Sequence, residues 1–526
     1  MRRRNDFQEN STSLRPVILI FNVNAKISEM EFHMRAPLAT HIPPFDSSTF
    51  KSPFLAHYRS ILPLPQKYYS TIMATKPDTN VLNDSTNSIN SINSKDTREP
   101  LEPPDSESRN HFTLSTSSLR LDTASDIQPH IQPLVNSTTI TSIHLGGNTL
   151  GAPACAHLAP HLSSQSRLHT ANLADIFTSR LLSEIPPALS SLLTACLKLP
   201  NLHIIDLSDN AFGLNTQAPL VEFLKEHVPL KCLILNNNGL GPEAGAKIAD
   251  ALTELAKRKE EARKEGRDVP NLETIVCGRN RLESGSMKAW VRAFQAHTHI
   301  KEVRMTQNGI RQEGISLLLR DGLKSCQELE VLDLQDNTFT LSGAQALSSV
   351  VGRWASLREL GVGDCLLGAR GTVVVAEALG KGENMHLRTF RAQYNDIDAK
   401  GAKALFVATE KGGLEGLRRV ELNGNKFSED DEGVEGLRTL LEKRREDAGV
   451  DDAGGGEWGM DELSDLEEES EDEDEGGDEG EDEDDEEKEE EREEILKDAD
   501  EEEAKEVPQE KDADVDELAE RLGKEL

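Results

Sequence analysis

The sequence is poor in aromatic residues, and its few cysteines follow no pattern. Aromatic residues make up 4% and hydrophobic residues 36% of the 526-residue chain, which is low for a chain that folds entirely into globular domains. The six cysteines are scattered, without a C-x-x-C pair and without zinc-ligand spacing to histidine. We therefore expect reduced cysteines in an intracellular protein, with part of the chain outside any hydrophobic core.

Long apolar runs and the common catalytic motifs are also missing. No stretch approaches the roughly 20 apolar residues of a membrane span, and neither a G-x-x-x-x-G-K-[ST] phosphate loop nor a G-x-S-x-G turn occurs. The histidines are isolated, and we interpret His203 and His227 as structural residues. These absences favour a soluble binding protein over an enzyme with its own substrate pocket.

Basic residues are scarce at the C-terminal end, where the negative charge is concentrated. The chain has 94 acidic and 58 basic residues, and residues 461–500 alone hold 27 acidic against 3 basic residues. Such a segment repels itself and buries too little apolar surface to offset the entropy of ordering. The sequence therefore predicts a disordered acidic tail over residues 446–526. Its charge also argues against a nucleic-acid partner.

A repeat of the form L-x-x-L-x-L-x-x-N-x-L runs through the middle of the chain. Clear copies are LHIIDLSDNAF at 202–212 and LEVLDLQDNTF at 329–339. The residues at the N position are Asn148, Ile176, Asn210, Asn238, Asn280, Asn308, Asn337, Cys365, Asn395 and Asn425. Most of them lie 28 to 30 residues apart. This period is typical of long leucine-rich repeats, in which each repeat holds a strand and a full helix.

The repeat also predicts how the elements are arranged. The L-x-L core alternates with period two, as in a strand with its leucines turned inward. The asparagine amide can bond backbone groups at the turn, and residues 243–255 show helical spacing. We expect an α/β solenoid over residues 111–445, a ribonuclease-inhibitor-like arc with parallel strands concave and helices convex. Residues 1–110 should form a disordered extension.

Two steps break the period of the repeat. The 42-residue step contains the mixed-charge run 257–269, which we interpret as an extension of one convex helix. The 34-residue step follows an irregular repeat in which Ile176 replaces the asparagine. Because a repeat protein gains stability from regularity, this departure marks a candidate functional segment.

Acidic residues lie beside several of the repeat turns, namely Asp209, Asp336, Asp364 and Asp396. Together with the tail they predict a partner with a basic surface, although aspartate is also common in turns that are merely solvated. From the residues alone, the prediction is a non-catalytic scaffold or inhibitor that binds a basic protein. A histone-binding chaperone acting through residues 461–526 is a further alternative.

Residues 172–189, NLADIFTSRLLSEIPPAL, resemble the D-I-F-T-G-R-x-x-x-E-I-P stretch of Ran GTPase-activating proteins. The similarity covers about residues 112–440 and is clear at 206–213, 237–247, 277–288, 331–340 and 421–429. It implies a protein that binds the GTP form of Ran, stimulates its GTP hydrolysis and supports nucleocytoplasmic transport. The implied location is the cytoplasm, with the nuclear envelope as an alternative. GTP and Mg²⁺ would belong to the partner, so we expect no cofactor. We also expect no membrane contact and a monomeric protein.

The resemblance also implies the roles of individual residues. Asn237 matches a loop asparagine that helps to hold the glutamine of the GTPase, and Arg180 matches an arginine that does not act as an inserted finger. We expect Asn237 and Arg180 to be the catalytic residues, with Arg180 holding the interface or the loop that bears Asn237. The family's glycine before this arginine is Ser179, and a lysine that can contact the partner is Leu182. The expected partner-binding residues are Asp175, Asp209, Asn210, Asn238, Asn280, Asp336 and Asp364.

Overall fold

The structure is a computed structural model that describes residues 110–114, 118–450 and 457–466. Within these residues, 12 strands form one parallel sheet whose strand order follows the order along the chain. Adjacent parallel strands need a crossover connection, and in most repeats an α-helix supplies it. The predicted leucine-rich-repeat solenoid is confirmed. The proposed division into three segments stays a prediction, since residues 1–109 and most of the tail lie outside the described residues.

Each repeat contributes one short strand to the main sheet. These strands are β1 (His111–Thr113), β3 (Ser142–His144), β5 (Thr170–Asn172), β6 (Ile204–Asp206), β7 (Cys232–Ile234), β8 (Thr274–Val276), β9 (Glu302–Arg304), β10 (Val331–Asp333), β11 (Glu359–Gly361), β12 (Thr389–Arg391), β13 (Arg419–Glu421) and β14 (Gly459–Met460). Two further strands, β2 (Arg120–Leu121) and β4 (Thr149–Leu150), pair with each other in a separate parallel sheet.

Helices follow the strands and pack on the helices of the neighbouring repeats. They are α1 (Ala124–Ile127), α2 (Gln132–Asn136), α3 (Ala152–Ser163), α4 (Ile185–Cys196), α5 (Ala218–Glu226), α6 (Gly241–Lys264), α7 (Met287–Ala296), α8 (Gln312–Leu317), α9 (Thr340–Val350), α10 (Gly368–Leu379), α11 (Ala399–Glu410) and α12 (Glu432–Asp447). The middle residue of the strands, such as Ile205 or Leu332, is fully buried. Since side chains alternate along a strand, one face of the sheet carries the core and meets the helices.

The long repeat step is explained by α6, whose 24 residues extend through most of the mixed-charge run. Lys259 in this run is only 1% exposed. Its Nζ donates to the carbonyl oxygens of Val228, Leu230 and Pro270 at 2.6, 2.7 and 2.8 Å. Burial lowers the pKa of Lys259 to about 7. The three carbonyls match the three donors of the protonated amine, so a charged residue closes this turn.

Buried polar side chains at the helix ends join one repeat to the preceding one. Nε2 of His227 lies 2.7 Å from the carbonyl oxygen of Leu202, and Nε2 of His297 lies 2.8 Å from that of Leu252. Trp354 donates to the carbonyl oxygen of Leu323 in the same way. These bonds give the buried side chains hydrogen-bond partners and tie each repeat to the one before it. All six cysteines are also buried and unpaired, as expected for core residues.

We predict that mild acid destabilises the fold through His227 and His297. Burial lowers the pKa of both rings to about 4, whereas in the unfolded chain they titrate near 6.5. Their contribution is therefore fully present above about pH 6.5 and is lost as the pH falls toward 4. We expect a loss on the order of 2 kcal/mol per histidine by about pH 5. Urea unfolding at about pH 7 and about pH 5 measures it.

The matched variant is the double substitution His227→Gln with His297→Gln, which keeps a side-chain donor at each position. Its stability should fall less between the two pH values than that of the wild type. An equal fall in both proteins would contradict the assignment.

The first residues of the predicted tail close the C-terminal end of the sheet. The Asp461 carboxylate accepts the backbone N–H groups of Leu422 (2.8 Å) and Asn423 (3.0 Å). Leu463 is buried beside the core, and burial raises the pKa of Asp461. Residues 457–466, beyond the predicted end of the repeat domain at residue 445, therefore pack on its last repeat. This strand could not be recognised in the acidic sequence, because only two backbone residues pair and a carboxylate supports them.

We predict that Asp461→Ala weakens this end of the sheet by about 1–2 kcal/mol, because two edge N–H groups lose their acceptor. Hydrogen exchange of the Leu422 and Asn423 amides should become at least about tenfold faster, which corresponds to that change. Glu462→Ala, at the exposed neighbouring position, is the control and should leave both amides protected. Unchanged protection in Asp461→Ala would contradict the capping role.

Candidate functional site

The loop edge of the sheet is built on the buried asparagine of the repeat. Nδ2 of Asn210 donates to the carbonyl oxygens of Leu173 (2.8 Å), Leu207 (3.0 Å) and Ser208 (2.9 Å). Its Oδ1 accepts the backbone N–H of Ile176 from the preceding repeat at 3.0 Å. A buried amide is stable only when it is bonded in this way. The asparagine therefore fixes the turn of its own repeat and that of its neighbour.

The asparagines of successive repeats are linked into a ladder. The backbone N–H of Asn210 donates to Oδ1 of Asn238 (2.8 Å), that of Asn238 to Oδ1 of Asn280 (2.9 Å), and that of Asn280 to Oδ1 of Asn308 (2.9 Å). All four side chains are at most 1% exposed. The expected direct partner contacts of Asn210, Asn238 and Asn280 are therefore corrected. Burial turns their amides toward the backbone, and they can only position the residues beside them.

The residue before each ladder position has a left-handed backbone. Values of φ are 60° at Asp209, 53° at Asn237, 57° at Arg279 and 57° at Asp336. Asparagine and aspartate tolerate this region better than most residues. We call the residues before the ladder positions, from Asp175 onward, the rim row. Its non-glycine members are Asp175, Asp209, Asn237, Arg279, Gln307, Asp336, Asp364 and Tyr394. Their shared backbone conformation places one side chain per repeat along the loop edge.

Asn237 lies on the rim row with an exposed side chain. Its Nδ2 donates to Oδ1 of Asp209 at 2.7 Å, and its backbone N–H donates to the carbonyl oxygen of Gly278 at 2.9 Å. Arg279 follows at the next position of the row. The amide is thus oriented by a neighbouring carboxylate while it faces solvent. It can donate and accept hydrogen bonds without carrying a charge.

Arg180 is held within the protein, although it lies in a loop. Its side chain is 5% exposed and forms an ion pair with Asp122. Nε donates to Oγ1 of Thr149 (3.0 Å), and Nη2 donates to the carbonyl oxygen of Thr149 (2.9 Å). The guanidinium therefore contacts two earlier segments of the chain and is not directed at solvent.

The loop around Arg180, residues 175–184, departs from the regular repeat. Asp175 and Ser179 are left-handed, with φ of 50° and 65°, a region that glycine adopts more readily than serine. The Asp175 carboxylate accepts a hydrogen bond from the hydroxyl of Thr178. Leu181 and Leu182 are 69% and 58% exposed. No local pattern in the sequence indicates that this pair of leucines is exposed.

The structure brings only some of the expected site residues together. Asp175, Asp209 and Asn237 occupy neighbouring positions of the rim row, next to the Arg180 loop. Asp336 and Asp364 are exposed on the same row, but three and four positions beyond Asn237. Sequence reasoning missed Arg279, which places a cation beside Asn237. Its position before the ladder residue Asn280 could have identified it.

The described part of the chain lacks the residue groups of a metal site and of a membrane span. No group of three or more His, Cys, Asp or Glu residues there could hold a metal ion. Among the same residues, no helix is long and apolar enough to cross a membrane.

The parallel sheet, the helices and the asparagine ladder define a leucine-rich-repeat protein. The family model described as Leucine Rich repeat matches residues 325–348 and 383–406. An internalin from Listeria monocytogenes is a similar solved structure, with a TM-score of 0.37 and 14% identity over 64% of this chain and 76% of that chain.

The chain is also similar to named relatives. It is 38% identical over 346 residues to Ran GTPase-activating protein 1 of Saccharomyces cerevisiae, covering 64% of this chain and 84% of the relative. It is 36% identical over 203 residues to Ran GTPase-activating protein of Drosophila melanogaster, covering 38% of this chain and 33% of that relative. The chain belongs to the Ran GTPase-activating protein family.

We predict a large loss of stability on substitution of one asparagine and almost no change on substitution of its neighbour. Asn238→Ala should destabilise the protein by about 2–3 kcal/mol, because buried backbone groups lose their partners. Asn237→Gly should change stability by less than about 0.5 kcal/mol, since the side chain is exposed and glycine accepts positive φ. Urea unfolding of both variants measures the difference. Equal destabilisation would contradict the separation of ladder and rim.

Proposed function

We propose that this protein stimulates GTP hydrolysis by the small GTPase Ran, bound in its GTP form, through the loop edge that carries Asn237. The observation that carries the proposal is the exposed Asn237 amide, oriented by Asp209 on a rigid left-handed turn. Membership of the family supports the identity of the partner, because the relatives carry Ran GTPase activation in their names.

The chemistry takes place in the active site of the partner. In small GTPases a glutamine orients the attacking water, and Mg²⁺ neutralises charge on the phosphates. Asn237 holds that glutamine through amide hydrogen bonds, donating from its nitrogen and accepting at its oxygen. GTP and Mg²⁺ come with the GTPase, so this chain contributes positioning only.

Arg180 supports this task from within the protein. To reach the nucleotide, its guanidinium would have to leave Asp122 and Thr149. Leaving them would break the ion pair and two hydrogen bonds of a nearly buried guanidinium, although Asp122 itself is 43% exposed. Arg180 is therefore an anchor of the loop 175–184 and not an inserted finger. The loop in turn contacts the repeat of Asp209, since the Asp175 N–H donates to the carbonyl oxygen of Ser208 at 2.9 Å.

Negative charge on the rim row steers the partner. Asp175, Asp209, Asp336 and Asp364 lie along one edge, and the acidic tail adds a longer-range field. A basic surface on the GTPase is attracted by this field, which salt screens over about 8–10 Å. We place the activity of a monomer in the cytoplasm or at the nuclear envelope, in support of nucleocytoplasmic transport. Nucleic acids and membranes are not among the proposed partners.

The test is single-turnover GTP hydrolysis by Ran with catalytic amounts of this protein. We expect strong acceleration by the wild type and a loss of about 100-fold or more in Asn237→Gly, the effect of removing one well-placed donor. Glycine keeps the left-handed turn, so the variant removes only the side chain. Gln307→Gly is the matched control. Its φ is also 53°, but it lies two rim positions away and should retain the wild-type rate.

Binding assays with the same proteins separate the two candidate functions. A wild type that binds Ran with GTP but leaves hydrolysis unchanged would contradict the activator proposal. That result would favour the non-catalytic scaffold or inhibitor, which uses the same acidic rim.

A further inference from the structure

We propose that Asp122 holds the loop of residues 175–184 in place through the guanidinium of Arg180. Asp122 is thus a positioning residue for this loop. This inference rests on the proposed function for its effect on catalysis. Its structural part, the fixation of the loop, stands separately and has its own measurement.

Asp122 lies at the end of β2, in the two-stranded sheet outside the main sheet. In that sheet Arg120 pairs with Thr149 and Leu121 with Leu150. A Cβ built on Gly151, just after β4, would lie 2.6 Å from the carbonyl oxygen of Asp122. The backbones thus approach so closely that only glycine fits without a shift. We call β2 and β4, with the flanking residues Asp122 and Gly151, the platform. Asp122 is therefore part of a closely packed platform beside the loop.

The platform binds the loop through several hydrogen bonds. Thr149 accepts from Nε and Nη2 of Arg180, and its hydroxyl donates to the carbonyl oxygen of Thr178 at 2.6 Å. The backbone N–H of Leu150 donates to the carbonyl oxygen of Ile176 at 2.9 Å. Asp122 adds the negative charge that faces the Arg180 guanidinium. Thr149 supplies only neutral oxygens. The charge of the nearly buried Arg180 guanidinium is therefore neutralised by the Asp122 carboxylate.

The charge pairing lowers the pKa of the Asp122 carboxyl. The hydrogen bond from Arg180 is the largest cause that holds the pKa of Asp122 below its ordinary value, followed by that from Arg120. Arg120 is 68% exposed, whereas the Arg180 side chain is 5% exposed. Solvent already surrounds Arg120, whereas Arg180 is nearly buried and takes its neutralising charge from Asp122, which is itself 43% exposed. Loss of Asp122 therefore leaves Arg180 in an unstable position and releases the loop.

The loop transmits this position to the rim row. The Ile176 N–H donates to Oδ1 of Asn210, and the Asp175 N–H donates to the carbonyl oxygen of Ser208. Asp209, next to both acceptors, orients the Asn237 amide. One side of the loop thus contacts the platform of Asp122, and the other contacts the repeat that precedes Asn237. A shift of the loop moves the exposed Leu181 and Leu182 relative to the partner and loosens the support of Asp209.

Limited trypsin digestion tests the structural part without any GTPase. Trypsin cleaves after arginine, and the Arg180–Leu181 bond is protected only while the Arg180 side chain stays buried. We expect Asp122→Ala to speed cleavage at this bond at least tenfold, as read by mass spectrometry of the fragments. Arg120→Ala is the matched control, because it removes the exposed partner of the same carboxylate, and should cleave at the wild-type rate. Equal rates in Asp122→Ala and wild type would overturn the inference.

Ran GTP hydrolysis tests the effect on activity. We expect Asp122→Ala to lower kcat/KM by about 10- to 100-fold and Asp122→Glu to recover most of it, since the longer carboxylate can still reach the guanidinium. The double variant Asp122→Ala with Arg180→Ala should be no slower than Arg180→Ala alone, because both changes break one interaction. Additive losses, or full activity of Asp122→Ala beside an active wild type, would overturn the positioning role. An inactive wild type would refute the proposed function instead, and the trypsin result would still decide on the loop.

Discussion

A buried amide that must be satisfied at most of the repeat turns is the constraint on which this protein depends. Each ladder asparagine bonds the backbone of its own repeat and of its neighbour, so that no turn can change alone. The residue before each ladder position lies in the left-handed region. A structural requirement of the core thereby creates a row of outward-facing side chains. The geometry of the rim row is therefore set by the fold and does not require a bound partner.

The proposed functional segment lies where this regular pattern is interrupted. Ile176 has no amide to bond the preceding turn, and the chain departs there into a loop with an arginine and two exposed leucines. An ion pair with Asp122 and hydrogen bonds to Thr149 hold this loop. The interruption thus exchanges the ladder for a different fixed arrangement, and a loop so held can keep a fixed orientation beside Asp209 and Asn237.

Most of the fold could be predicted from the sequence, because period and burial are both encoded locally in each repeat. The strand positions and the extended α6 follow from spacing alone. Depth and distant contacts were harder to predict. Asn210, Asn238 and Asn280 were expected to bind the partner, because spacing identifies the turn but not which of its side chains reach the surface. The contact between Arg180 and Asp122 joins residues 58 positions apart, and no local pattern indicates such a pair. Strand β14 was missed because its acidic surroundings resemble the tail.

The central claim is that the activator supplies an amide from a rigid rim while its arginine stays inside the protein. The most direct test is a structure of the complex with Ran bound to Mg²⁺, GDP and a transition-state mimic of the γ-phosphate. We expect the Asn237 amide within hydrogen-bond distance of the glutamine of Ran, and Arg180 still bound to Asp122 and Thr149. A guanidinium of Arg180 withdrawn from Asp122 and placed against the phosphate mimic would contradict that claim.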